Sequence, residues 1–197
     1  MTRVIRGLYG PLPTDVLNPV SRRRSLRSLW AAALVGRHFV RLRSVSPAEQ
    51  ELVSAAASEA RFPAWMPAMV PAGFAIVRAD LVPYSRDVLT LRLSQGAREF
   101  EAAQRRRWLP LDEELTTAGL PFDRVPISPA PLYLVHGKHG GEPIDMSFWS
   151  TRRALVFEVG DIRVELREVV GRGPGLAALI RFAENAARAL RAVDIKA

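Results

Sequence analysis

The chain has no cysteine, which excludes disulfides, thiolate metal ligands, iron–sulfur ligation and a cysteine nucleophile, and leaves the redox compartment open. Histidine is nearly as scarce: His38, His136 and His139 are the only three, so few acid–base or metal schemes can be built. Lysine appears only as Lys138 and Lys196, so arginine carries almost all of the positive charge. The accompanying bias toward alanine, leucine and proline matches a GC-rich coding sequence. Long apolar runs are also missing, since no stretch approaches the roughly 20 residues that span a bilayer. The sequence therefore predicts no transmembrane segment.

What is present is a chain of 197 residues with 48% hydrophobic content, enough for one sizeable core plus an appendage. The 28 basic and 20 acidic residues are unevenly placed. Residues 1–45 hold nine arginines (Arg3, Arg6, Arg22, Arg23, Arg24, Arg27, Arg37, Arg41 and Arg43) against the single acid Asp15. Residues 46–197 keep 19 of each sign, so the whole net charge of +8 lies in the first quarter. This is the pattern of a basic N-terminal arm, 1–45, on a neutral body, 46–197. Such an arm meets an anionic partner, whether nucleic acid, an acidic protein or a membrane surface.

Within the arm, Leu26, Leu29, Trp30, Ala33 and Leu34 recur at helical spacing with arginines on the other face, predicting a basic amphipathic helix over 22–35. Phe39–Arg43 alternates like a short strand. The stretch Ser21-Arg22-Arg23-Arg24-Ser25-Leu26-Arg27 resembles a twin-arginine export motif ahead of the apolar run Leu29–Val35. Arg37 cuts that run short, and no small-residue cleavage site follows. A cytoplasmic location is the expectation, with export through this degenerate signal as the alternative.

Ser46-Pro47-Ala48-Glu49 is a capping box with proline in the first turn, predicting a helix that runs to about Arg61, before Pro63. The body beyond is read as strands: Phe74–Val82 paired with Val88–Leu93, another near Glu99–Gln104, then Leu132–His136, Ile144–Ser150, Ala154–Val159 and Ile162–Val170. The proline-rich stretch Arg105–Ala130 reads as loop with a short helix near Asp112–Thr117. In the last strand Ile162, Val164 and Leu166 alternate with Arg163, Glu165 and Arg167, one buried face and one wet face. Gly160-Asp161 supplies the hairpin turn, and Leu176, Leu179, Ile180, Ala183, Ala187 and Leu190 give the stripe of a terminal helix. The expected fold is α+β, an antiparallel sheet of about six strands with helices packed on one face.

Two stretches carry a family resemblance. Met69-Val70-Pro71-Ala72-Gly73-Phe74 resembles the strand entry, and Met146-Ser147-Phe148-Trp149 with the 154–170 hairpin and Leu179-Ile180-Arg181-Phe182-Ala183-Glu184 resembles the end, of bacterial lipoprotein-carrier-like domains. Such domains occur as C-terminal modules of envelope-stress and anti-sigma-factor-type proteins, and the likeness brackets residues 69–191. It implies a half-open sheet curled around a helix that binds lipid tails or a partner protein, and it brings no catalytic residues.

Three constellations are candidate sites. The arm offers Arg22, Arg23, Arg24, Arg27, Arg37, Arg41 and Arg43 with Trp30, joined by Arg105, Arg106 and Arg107 beside Trp108, for phosphate contact and base stacking. Both tryptophans read first as core or helix-docking residues and only second as stacking residues, and Asp112-Glu113-Glu114 stands close enough to neutralise Arg105–Arg107. His136, His139, Glu142 and Asp145 stand three residues apart in a glycine-rich loop and could hold a divalent metal in an enzyme, although Lys138 stands among them. Gly171-Arg172-Gly173-Pro174-Gly175 matches neither nucleotide-binding fingerprint. No motif calls for a cofactor. The reading is a non-enzymatic regulatory or sensor module with an anionic partner on the arm, open to a protein partner at the sheet and to self-association. DNA binding through the arm, and then a metal-dependent enzyme, are the alternatives.

Overall fold

A computed structural model describes residues 32–33, 36–82, 86–117, 119–120, 122–125, 131–135, 154–168 and 175–194. The expected helix over 22–35, apart from its end, the strand Ile144–Ser150 and the 171–174 loop lie outside the described residues.

The molecule is α+β. A single 3₁₀ turn, Arg37–Phe39, leads into β1 (Leu42–Ser44) and α1 (Pro47–Ser58). The chain continues through β2 (Met69–Pro71), β3 (Ala75–Leu81), β4 (Val88–Gln95), β5 (Arg98–Arg106), α2 (Leu111–Thr117), β6 (Phe122–Arg124) and β7 (Leu132–Val135). It closes with β8 (Ala154–Val159), β9 (Ile162–Glu168) and α3 (Leu176–Asp194). Seven strands form one antiparallel sheet in the order β3-β4-β5-β9-β8-β7-β6, and β1 and β2 form a separate pair. About six strands were expected in the sheet. The additional pairing comes from short segments: β2 and β6 are three residues each, too few to show a period, and the strand expected over Phe39–Arg43 forms only from Leu42 on, as β1, with Phe39 in the 3₁₀ turn.

The capping box forms as its residues require: Ser46 Oγ accepts from the Glu49 amide at 3.3 Å, and the Glu49 carboxylate accepts from the Ser46 amide at 2.7 Å. The helix ends at Ser58 rather than Arg61. Glu59 and Ala60 donate three residues back, to Ala56 and Ala57, and the Arg61 amide is diverted to the Arg86 carbonyl at 2.9 Å. The sheet hairpins close at Gly96 and Gly160, with φ of 59° and 57°, where a side chain would be strained.

One sheet face is apolar. Leu89, Leu91 and Leu93 of β4, Phe100 and Ala102 of β5, Leu155 and Phe157 of β8 and Val164 and Leu166 of β9 pack beneath Leu179, Ile180, Phe182 and Ala183 of α3 and Val53 of α1. Trp65, from the proline-spaced link, fills the middle, with ring centroids 6.0 Å from Phe157 and 5.7 Å from Phe182, and Phe182 is 5.9 Å from Phe100. Gln104 is fully buried there. Its side chain accepts from the Trp65 amide at 2.6 Å and donates to the Trp65 carbonyl at 3.1 Å, so a polar side chain in the core is satisfied by one residue's backbone.

The other face is not the wet face expected of β9. Arg163 and Glu165 have no exposure at all. The seven-residue α2 lies against this face, with Leu111 and Leu115 packed on Val88, Ala103, Val135, Ala154 and Val156. The two longer helices thus share one face and α2 covers part of the other. Charge alternation in β9 marked a second interior, whose charges are paired rather than solvated.

Candidate anion-binding surfaces

The charge count ends the arm at residue 45, whereas backbone pairing draws its last part into the fold. Leu42, Arg43 and Ser44 pair with Pro71, Val70 and Met69, the Ala72 amide donates to the Arg41 carbonyl, and Val45 is buried. The candidate arginines of this segment then divide.

Arg43 is consumed by the fold. It grips Glu49 with both terminal nitrogens, at 2.8 and 2.6 Å, and its remaining donors go to the carbonyls of Phe74 and Ser44. Its five N–H groups are all engaged, leaving none for a phosphate. Glu49 also accepts from the Ile76 amide at 2.7 Å, tying α1 to the edge strand β3. The Arg43 guanidinium, with help from the Ser46 and Ile76 amides and against the cost of burial, holds the Glu49 carboxyl well below the usual carboxylate range. The same hydrogen bonds raise the affinity of Arg43 for its proton. Arg37 is likewise drawn inward, donating at 2.9 Å to Glu184 of α3, whose side chain is almost fully buried.

Arg41 is exposed, as are His38 and Phe39. Phe39 is the most exposed large hydrophobic residue among those described, at 81%. The sequence reading did not select it. The available signal was phase, since Phe39 shares the parity of Arg41 in a stretch whose apolar positions are Val40 and Leu42.

Arg105, Arg106 and Arg107 lie at the opposite end of β5 from the β4–β5 turn and divide in the same way. Arg105 and Arg163 are direct cross-strand neighbours, both buried, and Glu114 of α2 bridges the two. Arg163 also donates to Glu158 and to the Leu109 carbonyl, each at 2.6 Å. Burial, and then the neighbouring Arg163 charge, pull the Arg105 pKa down against the support of Glu114. Arg107 faces Glu158 and Asp161 at 3.5 and 3.6 Å, and Arg106 is exposed. Trp108, expected first as a core or helix-docking residue, is instead 74% exposed, with the Arg105 guanidinium carbon 5.3 Å from its ring centroid. Arg105, Arg107 and Arg163 therefore meet Glu114, Glu158 and Asp161, while Arg106 is exposed, as are Asp112 and Glu113 on the first turn of α2. No positive surplus remains at this end.

Arg22, Arg23, Arg24, Arg27 and Trp30, and the loop residues His136, His139, Glu142 and Asp145, lie outside the described residues. Among the described residues no three His, Asp or Glu side chains gather as a metal site, and no helix is long and apolar enough to cross a membrane. Compared with known proteins, the chain matches no family model, no curated protein and no solved structure.

Proposed function

We propose that the chain is a non-enzymatic binding protein, a regulatory or sensor module whose sheet-plus-helix body carries a basic N-terminal segment for an anionic partner. One observation carries the reading: Arg37 and Arg43 are spent on Glu184 and Glu49, fastening the segment to the body, while Arg41 faces solvent and the sequence of residues 1–45 holds seven arginines besides those two against the single acid Asp15. A cationic segment fixed at one end is suited to contact a polyanion or an anionic surface, because the charge is concentrated and its exit from the body is set. The partner contact is assigned to Arg22, Arg23, Arg24, Arg27 and Arg41.

The test keeps the full chain, because cutting at residue 46 would remove β1 and the Arg43 clamp. Fluorescence-anisotropy titrations with single- and double-stranded oligonucleotides, and sedimentation with phosphatidylglycerol vesicles, are run at two salt concentrations on the wild type and on a variant with Arg22, Arg23, Arg24 and Arg27 changed to glutamine. Binding to at least one probe is expected, weakened by salt and by more than about tenfold in the variant, as the loss of several phosphate contacts dictates. Absence of binding to every probe at low salt contradicts the proposal.

A further inference from the structure

Phe39 is the unusual residue of the segment. A side chain of that size standing 81% exposed forgoes a burial worth about tenfold or more in the folding equilibrium, yet its surroundings are well tied. Arg37 is held by Glu184, the Val40 amide closes the 3₁₀ turn on the Arg37 carbonyl, the Ala72 amide bonds the Arg41 carbonyl, and Arg43 is locked on Glu49. The ring is therefore presented by a fixed backbone. Arg41, two residues on, is exposed, and residues 36–45 contain no acid. An apolar ring two residues from an exposed arginine, with no carboxylate in its own segment, matches the boundary of an anionic lipid layer, where the ring enters the acyl edge and arginine stays among the headgroups. Trp108 supplies the counter-example. It too is exposed beside arginines, but there Arg105 and Arg107 are matched by Glu114, Glu158 and Asp161.

We infer that Phe39 and Arg41 form a docking surface for an anionic lipid bilayer, with the ring inserted and the guanidinium at the phosphates. This rests on the anionic-partner reading above and names the partner. A single aromatic and one arginine give weak contact, so the surface adds to the anionic contact proposed above and does not replace it.

The experiment is flotation of the full chain with phosphatidylcholine vesicles, with and without phosphatidylglycerol, comparing wild type, Phe39→Ser and Trp108→Ser, with near-ultraviolet circular dichroism as a check on folding. Partition onto the anionic vesicles is expected to fall about tenfold in Phe39→Ser and to stay within about twofold of wild type in Trp108→Ser. Equal binding by wild type and Phe39→Ser overturns the docking surface while the arm still has an anionic partner. Salt-sensitive oligonucleotide binding without vesicle binding overturns it in favour of nucleic acid. Binding to neither probe overturns this inference and the function it rests on together.

Discussion

Two stretches of this chain look alike in sequence, Arg37–Arg43 with Phe39 and Arg105–Arg107 with Trp108, and they sit toward opposite ends of the sheet. The first sends Arg37 and Arg43 inward and leaves Arg41 and Phe39 outside; the second sends Arg105 inward and leaves Arg106, Arg107 and Trp108 outside. They differ in what surrounds the outward side. Around Trp108, acids from α2, the β8–β9 turn and β8 match the arginines, so the cluster is closed on itself. Around Phe39 the inward arginines borrow Glu49 and Glu184 from the body, and the segment brings no acid of its own. The lesson is that an arginine cluster is not a binding site until its donors are counted: Arg43 has none to spare, whereas Arg41 is exposed.

The largest effect is expected at the closed end. Changing Glu114 to alanine leaves Arg105 and Arg163 buried face to face, and should cost about 3–5 kcal/mol in urea unfolding. The matching change at the other end, Glu49→Ala, should cost less, about 2–3 kcal/mol, because Arg43 is one-third exposed and can turn to water while the Ile76 amide is stranded. A larger loss for Glu49→Ala than for Glu114→Ala would reverse the comparison.

Acid sharpens the same contrast. The folded-state pKa of Glu49 is depressed, so its contribution is complete above its unfolded value near 4.5 and drains away as pH falls below that. Unfolding midpoints measured from pH 6 down to about pH 2 should therefore decline less steeply in Glu49→Gln than in wild type. Parallel curves would show that the Arg43–Glu49 clamp is not what fastens the segment. Smaller again is Ser46→Ala, expected to cost about 1 kcal/mol by removing the cap on the Glu49 amide. Smallest is Trp108→Ser, expected within about 0.5 kcal/mol of wild type, since the ring is mostly in solvent.

Much of the architecture was legible where the signal is local. The box at Ser46–Glu49, the turn at Gly160-Asp161 and the stripe Leu176–Ala183 each specify their element within one or two turns of chain. Long-range consequences were not legible. Arg105-Arg106 read as the start of a loop, yet both belong to β5, because register sets Arg105 opposite Arg163 and Glu114 arrives from nine residues downstream. In β9 the polar parity of Arg163 and Glu165 looked like solvent, and only the return of α2 over that face makes it interior. For the candidate site, the charge excess of residues 1–45 was plain, but which arginines are spent depended on Glu49 and Glu184, one near in sequence and one 147 residues away.

The direct test of open against closed arginines is the salt concentration at which Arg41→Gln and Arg106→Gln elute from immobilised heparin, a general polyanion. Arg41→Gln should elute clearly earlier than wild type, and Arg106→Gln should elute with it. An equal or larger shift for Arg106→Gln would contradict the account, placing the anionic contact at the end of the sheet where the arginines are matched by acids.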